Sequence, residues 1–474
     1  MIKILVSILF VILTSTLSFA QVHYDARVFK HDSVFEPSRW FYNHTPQIEV
    51  LDSGAILPNG DTLMTNVLIC TAIGGFSEGE VDQNVWVSRS VNEGLSWTIP
   101  ASFGTANDTA GNFLIWNASL FKLENNLLVQ FYMFQRNRGA GANGNEPIFL
   151  KSKYSVDAGQ NWIGGEFVQV KGLEDTAVFR MFGPYTKPIV LKDDSLFFPL
   201  YYRIAGNATA RFAALKCAKN LTGFSLNRFP NIAYAHPERL IEPTAIFRED
   251  SLFVYFRTSR GSIDYIYSIN NGNSWSSIFN SNIKNPNTLF SSLENNFLLA
   301  NLNNLFRDDL AIIELDKLNN SNKFLLLDYT KFPYEQVTYP NTAKSKKGDI
   351  FSVYSGIGYD FKYGNRFGDI FFAKINLNSD FSVCSESFIK ASNNQDLLNL
   401  SKINNERNIA DKYFYKSNYI IEFGEVGLFY QKHLISAINT IYSIDYINSD
   451  TLILFTDKGV GVFNLRVKSS AVPL

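Results

Sequence analysis

Apolar runs along this chain are short, and they come in pairs. Ala55-Ile56-Leu57 is followed by the polar Asn59-Gly60-Asp61 and then by Thr62-Leu63-Met64. The same apolar, polar, apolar unit returns around Asn125-Asn126, Asp193-Asp194, Glu249-Asp250, Asn295-Asn296 and Gly348-Asp349. Runs rich in aromatic and β-branched residues between such clusters predict strands joined by tight turns, because Asn, Asp and Gly tolerate left-handed backbone. Helix-period patterns are scarce. The turns lie roughly 45 to 70 residues apart, a period that fits propeller blades of four strands each. The pattern therefore predicts an all-β fold, a six-bladed β-propeller over residues 28–378. Beyond it, Tyr419-Ile420-Ile421-Glu422-Phe423 leads to Gly427-Leu428-Phe429, and Leu452-Ile453-Leu454-Phe455 leads to Gly461-Val462-Phe463. Residues 379–474 are thus expected to be a β-rich C-terminal extension: an extra blade, a strand closing the ring, or a small domain.

A second pattern overlays the first. Ser90-Val91-Asn92-Glu93-Gly94-Leu95-Ser96-Trp97, Ser155-Val156-Asp157-Ala158-Gly159-Gln160-Asn161-Trp162 and Ser268-Ile269-Asn270-Asn271-Gly272-Asn273-Ser274-Trp275 share one form. It reads Ser, any, Asx, any, Gly, any, any, Trp. The Asx side chain can bond nearby backbone N–H groups, Gly supplies the permissive torsion, and Trp is expected to cover the turn with apolar area. Three copies in register with the hairpins make this a structural motif, not a chemical one.

Composition changes the picture at three points. Lys3, the apolar stretch Ile4 to Leu17 and the small residues of Ser18-Phe19-Ala20 read as a secretory signal peptide over residues 1–20. The mature chain is then expected to be secreted or periplasmic, with no other segment able to span a membrane. A net charge of −1 argues against a nucleic-acid partner, which calls for a basic surface to neutralise phosphates. Cys70, Cys217 and Cys384 stand far apart among apolar neighbours and read as buried thiols. The five histidines show no metal-ligand spacing, and no cofactor is expected. The Gly-rich segment from Gly139 to Gly144 lacks a βαβ context and reads as a loop.

The repeated Ser-x-Asx-x-Gly-x-x-Trp turn resembles the Asp box. The segment Gly74-Gly75-Phe76 through Ser88-Arg89, running straight into the first copy, is similar to the first-blade signature of the Asp-box (BNR repeat) sialidase-like family, of exo-alpha-sialidase or neuraminidase type. The resemblance covers roughly residues 48 to 378. It implies a retaining glycoside hydrolase in which a Tyr, activated by a Glu, attacks the anomeric carbon. A carboxylic acid protonates the leaving oxygen, and three Arg hold the carboxylate of a terminal acidic sugar, sialic acid foremost. Such enzymes depart from the usual pair of carboxylates, and a neutral nucleophile approaches an anionic sugar with less repulsion.

Carried across residue by residue, the resemblance assigns Glu242 as base and Arg257 as a clamp residue. The two stand at opposite ends of the hairpin formed by Glu242-Pro243-Thr244-Ala245-Ile246-Phe247 and Phe253-Val254-Tyr255-Phe256-Arg257, whose strand-turn-strand form brings its ends together. Arg307, before the apolar Leu310-Ala311-Ile312, resembles the third Arg, and Tyr339 in Thr338-Tyr339-Pro340-Asn341-Thr342 resembles the nucleophile. The acid is expected among Glu78, Glu80 and Asp82, with Glu78 nearest by position; burial in a closed rim would raise its pKa enough to hold a proton. The first Arg is missing: Val50 stands at its expected place. Arg180 and Lys187, in the third-blade segment, are candidates to compensate, and Tyr201 is a further candidate for substrate contact. The missing Arg leaves open a propeller that binds glycans or proteins without turnover. An enzyme acting on uronate-containing polysaccharide is a third reading.

Overall fold

The computed structural model describes residues 21–29, 42–76, 78–79, 83–103, 114–135, 147–172, 179–204, 209–229, 240–294, 296–302, 307–315, 323–329, 334–360 and 365–376, with the strands between 412 and 473. The expected signal peptide, Glu80, Asp82, Cys384 and the Gly-rich loop lie outside the described residues.

Every described regular element is a strand. The chain runs as antiparallel meanders of about four strands. The first is Tyr42–Leu51, Val67–Gly75, Asn84–Ser90 and Ala101–Ser102; the second is Leu114–Lys122, Leu128–Gln135, Ile148–Ser155 and Ile163–Phe167. The third holds Phe179–Phe182, Leu196–Ile204, Arg211–Cys217 and Ser225–Arg228; the fourth holds Ile241–Arg248, Ser251–Arg257, Ser262–Ser268 and Phe279–Lys284. Next come Ser291–Glu294, Phe297–Ala300, Asp309–Glu314 and Lys323–Tyr329, and then Tyr334–Lys344, Ile350–Asp360 and Asn365–Asn376, which Gln21–Phe29 joins by pairing with Asn365–Asn376. Five of the six predicted turns are present, with left-handed backbone at Gly60, Asn126, Asp194, Asp250 and Gly348; Asn295 of the sixth lies outside the described residues. One detail differs. Ile56 and Thr62 pair only as an isolated bridge inside the loop between Tyr42–Leu51 and Val67–Gly75.

Burial grades across each meander. Tyr42–Leu51 and Leu128–Gln135 are buried at every position, whereas the outlying Phe279–Lys284 exposes alternate residues. A strand covered on both faces must satisfy its polar side chains internally. Those of the first strands do so by reaching neighbouring meanders: Asn117 donates to the Thr45 carbonyl (2.8 Å), and Asn341 donates to Gln47 Oε1 (2.9 Å) while accepting from the Ile48 N–H (3.2 Å). Cys70 and Cys217 are buried free thiols.

The three Ser-x-Asx-x-Gly-x-x-Trp turns fold alike. The Ser hydroxyl donates to the Asx oxygen at 2.9, 2.7 and 2.9 Å and accepts the Gly N–H at 2.9, 2.8 and 2.8 Å. Burial opposes ionisation of Asp157, but bonds from Asn161, Ser155 and Gln160 hold its carboxyl below the usual range. The tryptophans do more than cover their own turns. Trp162 packs on Phe103 of the first meander, Trp275 on Phe212 of the third, and Trp97 on Phe372 of the last, with ring centroids 5.0, 5.7 and 5.5 Å apart. Each turn therefore pins its meander to another one.

The chain divides into one compact unit of residues 24–321 with 326–374, and a second of 375–474 with 1–23 and 322–325. In the second, Lys412–Lys416, Tyr419–Gly424, Gly427–Tyr430 and His433–Ser436 form one antiparallel sheet. Ile441–Asn448, Thr451–Thr456, Gly459–Asn464 and Val472–Pro473 form another. Among the described residues no helix is long and apolar enough to cross a membrane.

Candidate active site

Two residues of the larger unit combine strand position with unusual backbone. Glu242 has φ 46° and Tyr339 φ 55°, left-handed values that cost a non-glycine residue about 1–3 kcal/mol. Both stand where strand pairing slips, between Ile241 and Thr244 and between Thr338 and Asn341, and both precede a proline. A proline has no N–H for the ladder, so it settles at a bulge, and the bulge turns the preceding side chain off the sheet. The strain is held by the meanders around it.

What the bulges bring together is a buried carboxylate, guanidinium and phenol. Tyr339 Oη donates to Glu242 Oε1 at 3.3 Å and accepts from Arg257 Nη1 at 2.8 Å. The same Arg257 nitrogen lies 2.5 Å from Glu242 Oε2, and its Nε donates to Asn287 Oδ1 at 2.8 Å. Ile241 and Arg257 are register partners, so the hairpin closes its two functional ends as the spacing predicts. Arg307 Nη2 donates to the Asn287 carbonyl at 2.7 Å, and its guanidinium lies 6.0 Å from the Tyr339 ring centre. Burial pushes the Tyr339 hydroxyl up to about 12, opposed by Arg257 and Arg307 and assisted by Glu242 and Glu78. Burial alone would weaken the Arg257 cation, yet Glu242 and Tyr339 bind its proton more tightly than usual. Near neutrality the phenol is therefore protonated, with a carboxylate beside it to take the proton and a fixed cation to stabilise the phenolate.

The other sequence candidates divide. Tyr201 is buried and within electrostatic reach of Glu242, Arg257 and Tyr339. Glu78 is exposed, not enclosed in a rim as expected; it accepts a hydrogen bond from Tyr42 Oη at 3.2 Å and acts on Tyr339 and Arg307 electrostatically. Lys187 pairs with the buried Glu49 at 2.9 Å, so its ammonium is held by the first meander. Arg180 lies over the Phe182 ring, 5.5 Å from its centre. Val50 is fully buried among Ile48, Leu68 and Phe351, and no Val50 side chain reaches the site.

The first strand instead contributes His44, which the sequence reading missed. Its ring meets the Tyr339 ring edge-on at 4.3 Å, and Nδ1 shares a hydrogen bond with Ser355 Oγ at 2.9 Å. Burial, followed by Arg307, Arg257 and Arg366, lowers its pKa to about 3, so the imidazole is neutral. The first strand thus brings an uncharged ring, not a guanidinium, against Tyr339. A signal was available: His44 precedes Thr45-Pro46, where φ is 49° at Thr45 and pairing slips between His44 and Gln47. Tyr42, Asn287 and Arg366 were missed as well.

The BNR repeat-like domain model matches residues 66–352, more than half of the 474-residue chain. The chain belongs to this family. No curated protein matches it by sequence. Among solved structures, this BNR-repeat chain is similar to a Hadza microbial sialidase (15% identity, TM-score 0.52), over 67% of this chain and 64% of that one. It thus spans just under two thirds of that sialidase. It is also similar to the Trypanosoma rangeli sialidase (10%, TM-score 0.52; 93% and 73% covered). A leech intramolecular trans-sialidase solved with 2,7-anhydro-Neu5Ac is similar too (12%, TM-score 0.52; 74% and 70% covered). At these identities the likeness is one of fold, and it makes the architecture propeller-like.

Proposed function

We propose that the protein is a six-bladed propeller glycoside hydrolase, exported by its N-terminal signal, that removes terminal acidic sugars with retention of configuration. Sialic acid is the leading substrate. The observation that carries the reading is the buried Tyr339–Glu242–Arg257 group, in which one hydroxyl has both a proton acceptor and a cation within reach. Tyr339 Oη bonds to the anomeric carbon as its proton passes to Glu242, and Arg257 offsets the charge that develops on oxygen. The leaving oxygen takes its proton from the acidic loop, for which Glu78 is the described candidate and Asp82 the alternative. Water, deprotonated by the same acid, then displaces Tyr339 and restores it. Arg307 and Arg366 are left to meet the sugar's carboxylate, since Arg257 is already engaged.

That engagement, with neutral His44 in the first strand, also favours a second reading in which the site binds acidic glycans without turnover. One assay separates them. Incubation with an aryl sialoside should release the aryl alcohol, and Tyr339→Phe should abolish release while leaving binding of the free sugar measurable by calorimetry. Binding without release by the unaltered protein would sink the hydrolase reading.

A further inference from the structure

Beside Tyr201 the third meander carries a second cationic group. Phe179–Phe182 pairs antiparallel with Leu196–Ile204 so that Arg180 faces Arg203 and Phe182 faces Tyr201. Residues two apart on a strand share a face, and so do cross-strand partners, which puts all four side chains on one surface. The contacts agree. Phe182 and Tyr201 stack at 4.9 Å with planes 7° apart, Arg180 lies 5.5 Å from the Phe182 ring centre, and Arg203 lies 5.4 Å from Phe182 and 5.9 Å from Tyr201. Like charges directly opposite each other on neighbouring strands destabilise a sheet. Here the aromatic stack holds both guanidinium planes by cation–π contact, and Arg203 Nε is buried without a hydrogen-bond partner among the described residues. Such a pair fits an anion with two or more oxygens, which guanidinium forks bind bidentately.

We propose that Arg203 and Arg180 form a subsite for a second anionic group, a carboxylate or sulfate on the sugar adjoining the one removed. The proposal rests on the hydrolase reading for its geometry, because Tyr201 links this surface to Glu242, Arg257 and Tyr339. It makes the preferred substrate an acidic oligosaccharide, not an acidic sugar on a neutral chain.

The test uses full-length Tyr339→Phe protein, so that binding is read whether or not the wild type hydrolyses. Calorimetry would compare a disialoside, a sialoside on a sulfated galactose and a sialoside on plain galactose, with and without Arg203→Gln. The affinity ratio of each anionic ligand to the neutral one should fall tenfold or more in Arg203→Gln, with Arg203→Lys between the two. A loss confined to the disialoside or to the sulfated ligand assigns the carboxylate or the sulfate; an unchanged ratio for both overturns the subsite. Hydrolysis of aryl sialosides by the wild type is scored separately, so that failure of the hydrolase reading stays distinguishable.

Discussion

Replacing Glu242 by Gln tests the proposed chemistry most directly, since it keeps the volume and removes the charge. A hydroxyl held near 12 loses its proton to water at pH 7 only at a cost of about 7 kcal/mol, at roughly 1.4 kcal/mol per pH unit. Glu242 Oε1, 3.3 Å from Tyr339 Oη, lets that proton move as the new bond forms. A positioned general base contributes roughly 10²–10⁴-fold, so kcat for an aryl sialoside should fall by about that factor at pH 7. The deficit should shrink as pH rises. Glu242 is one of the groups that raise the Tyr339 pKa and Arg257 one that lowers it; with the carboxylate gone, the phenol ionises at lower pH than before. The profile of Glu242→Gln should therefore climb through alkaline pH where the wild type is flat, and ultraviolet titration of phenolate should show the matching shift. Arg257 loses its buried carboxylate, a change that costs about 3–5 kcal/mol when a partner is simply removed and less when an amide remains. Urea unfolding would confirm that the tested protein is folded. A kcat within threefold of wild type, with an unchanged pH profile, would refute the assignment of Glu242 as base.

Three further outcomes follow from other parts of the molecule. His44 ionises near 6.5 when unfolded but near 3 when folded, so stability present above pH 6.5 should drain away as pH falls from 6.5 toward 3, by up to about 5 kcal/mol. Urea midpoints for wild type and His44→Gln should converge through that window, and parallel curves would contradict a buried neutral imidazole. Gly94→Ala should destabilise by about 2–4 kcal/mol, since φ is 90° and a methyl group would collide with Phe372. Gly60→Ala, with φ 93° but open space, should cost only about 1 kcal/mol, and thermal melts that fail to separate the two would count against the packing argument. Trp275→Ala should cost about 3–5 kcal/mol in urea unfolding if the Trp holds neighbouring meanders together through Phe212, Phe197 and Phe229.

Much of this molecule was legible in one dimension, for a physical reason. Hairpins and Asx turns are local: Asn92 bonds Ser90 and Ser96, Gly94 bonds Ser90, and everything needed sits within one octapeptide. The roles of Glu242 and Arg257 came from resemblance, but their meeting was legible on the same ground, as two ends of one hairpin. Tyr339 and Arg307 came from resemblance alone, because nothing in their own segments encodes a partner many residues away. His44 escaped because its role depends on Tyr339 and Ser355, both remote in sequence, and because the resemblance directed attention to Val50, six residues further along the same strand.

A local clue to His44, Glu242 and Tyr339 existed in the prolines. Thr45-Pro46, Gly183-Pro184, Glu242-Pro243 and Tyr339-Pro340 each place a residue of positive φ before a proline in or beside the leading strand of its meander. A residue before proline ordinarily prefers extended backbone, and a proline ordinarily avoids a paired strand. Thr45, Glu242 and Tyr339 break both preferences inside a paired strand and fall where the register slips, so a bulge recurs at one rank of three leading strands. The side chains at or beside that rank are His44, Phe182, Tyr185, Glu242 and Tyr339, and those of Tyr185, Glu242 and Tyr339 act on one another electrostatically. A backbone that accepts this strain repeatedly, at the one place where its neutral, acidic and phenolic groups meet, has its conformation fixed by the site as much as by the sheet.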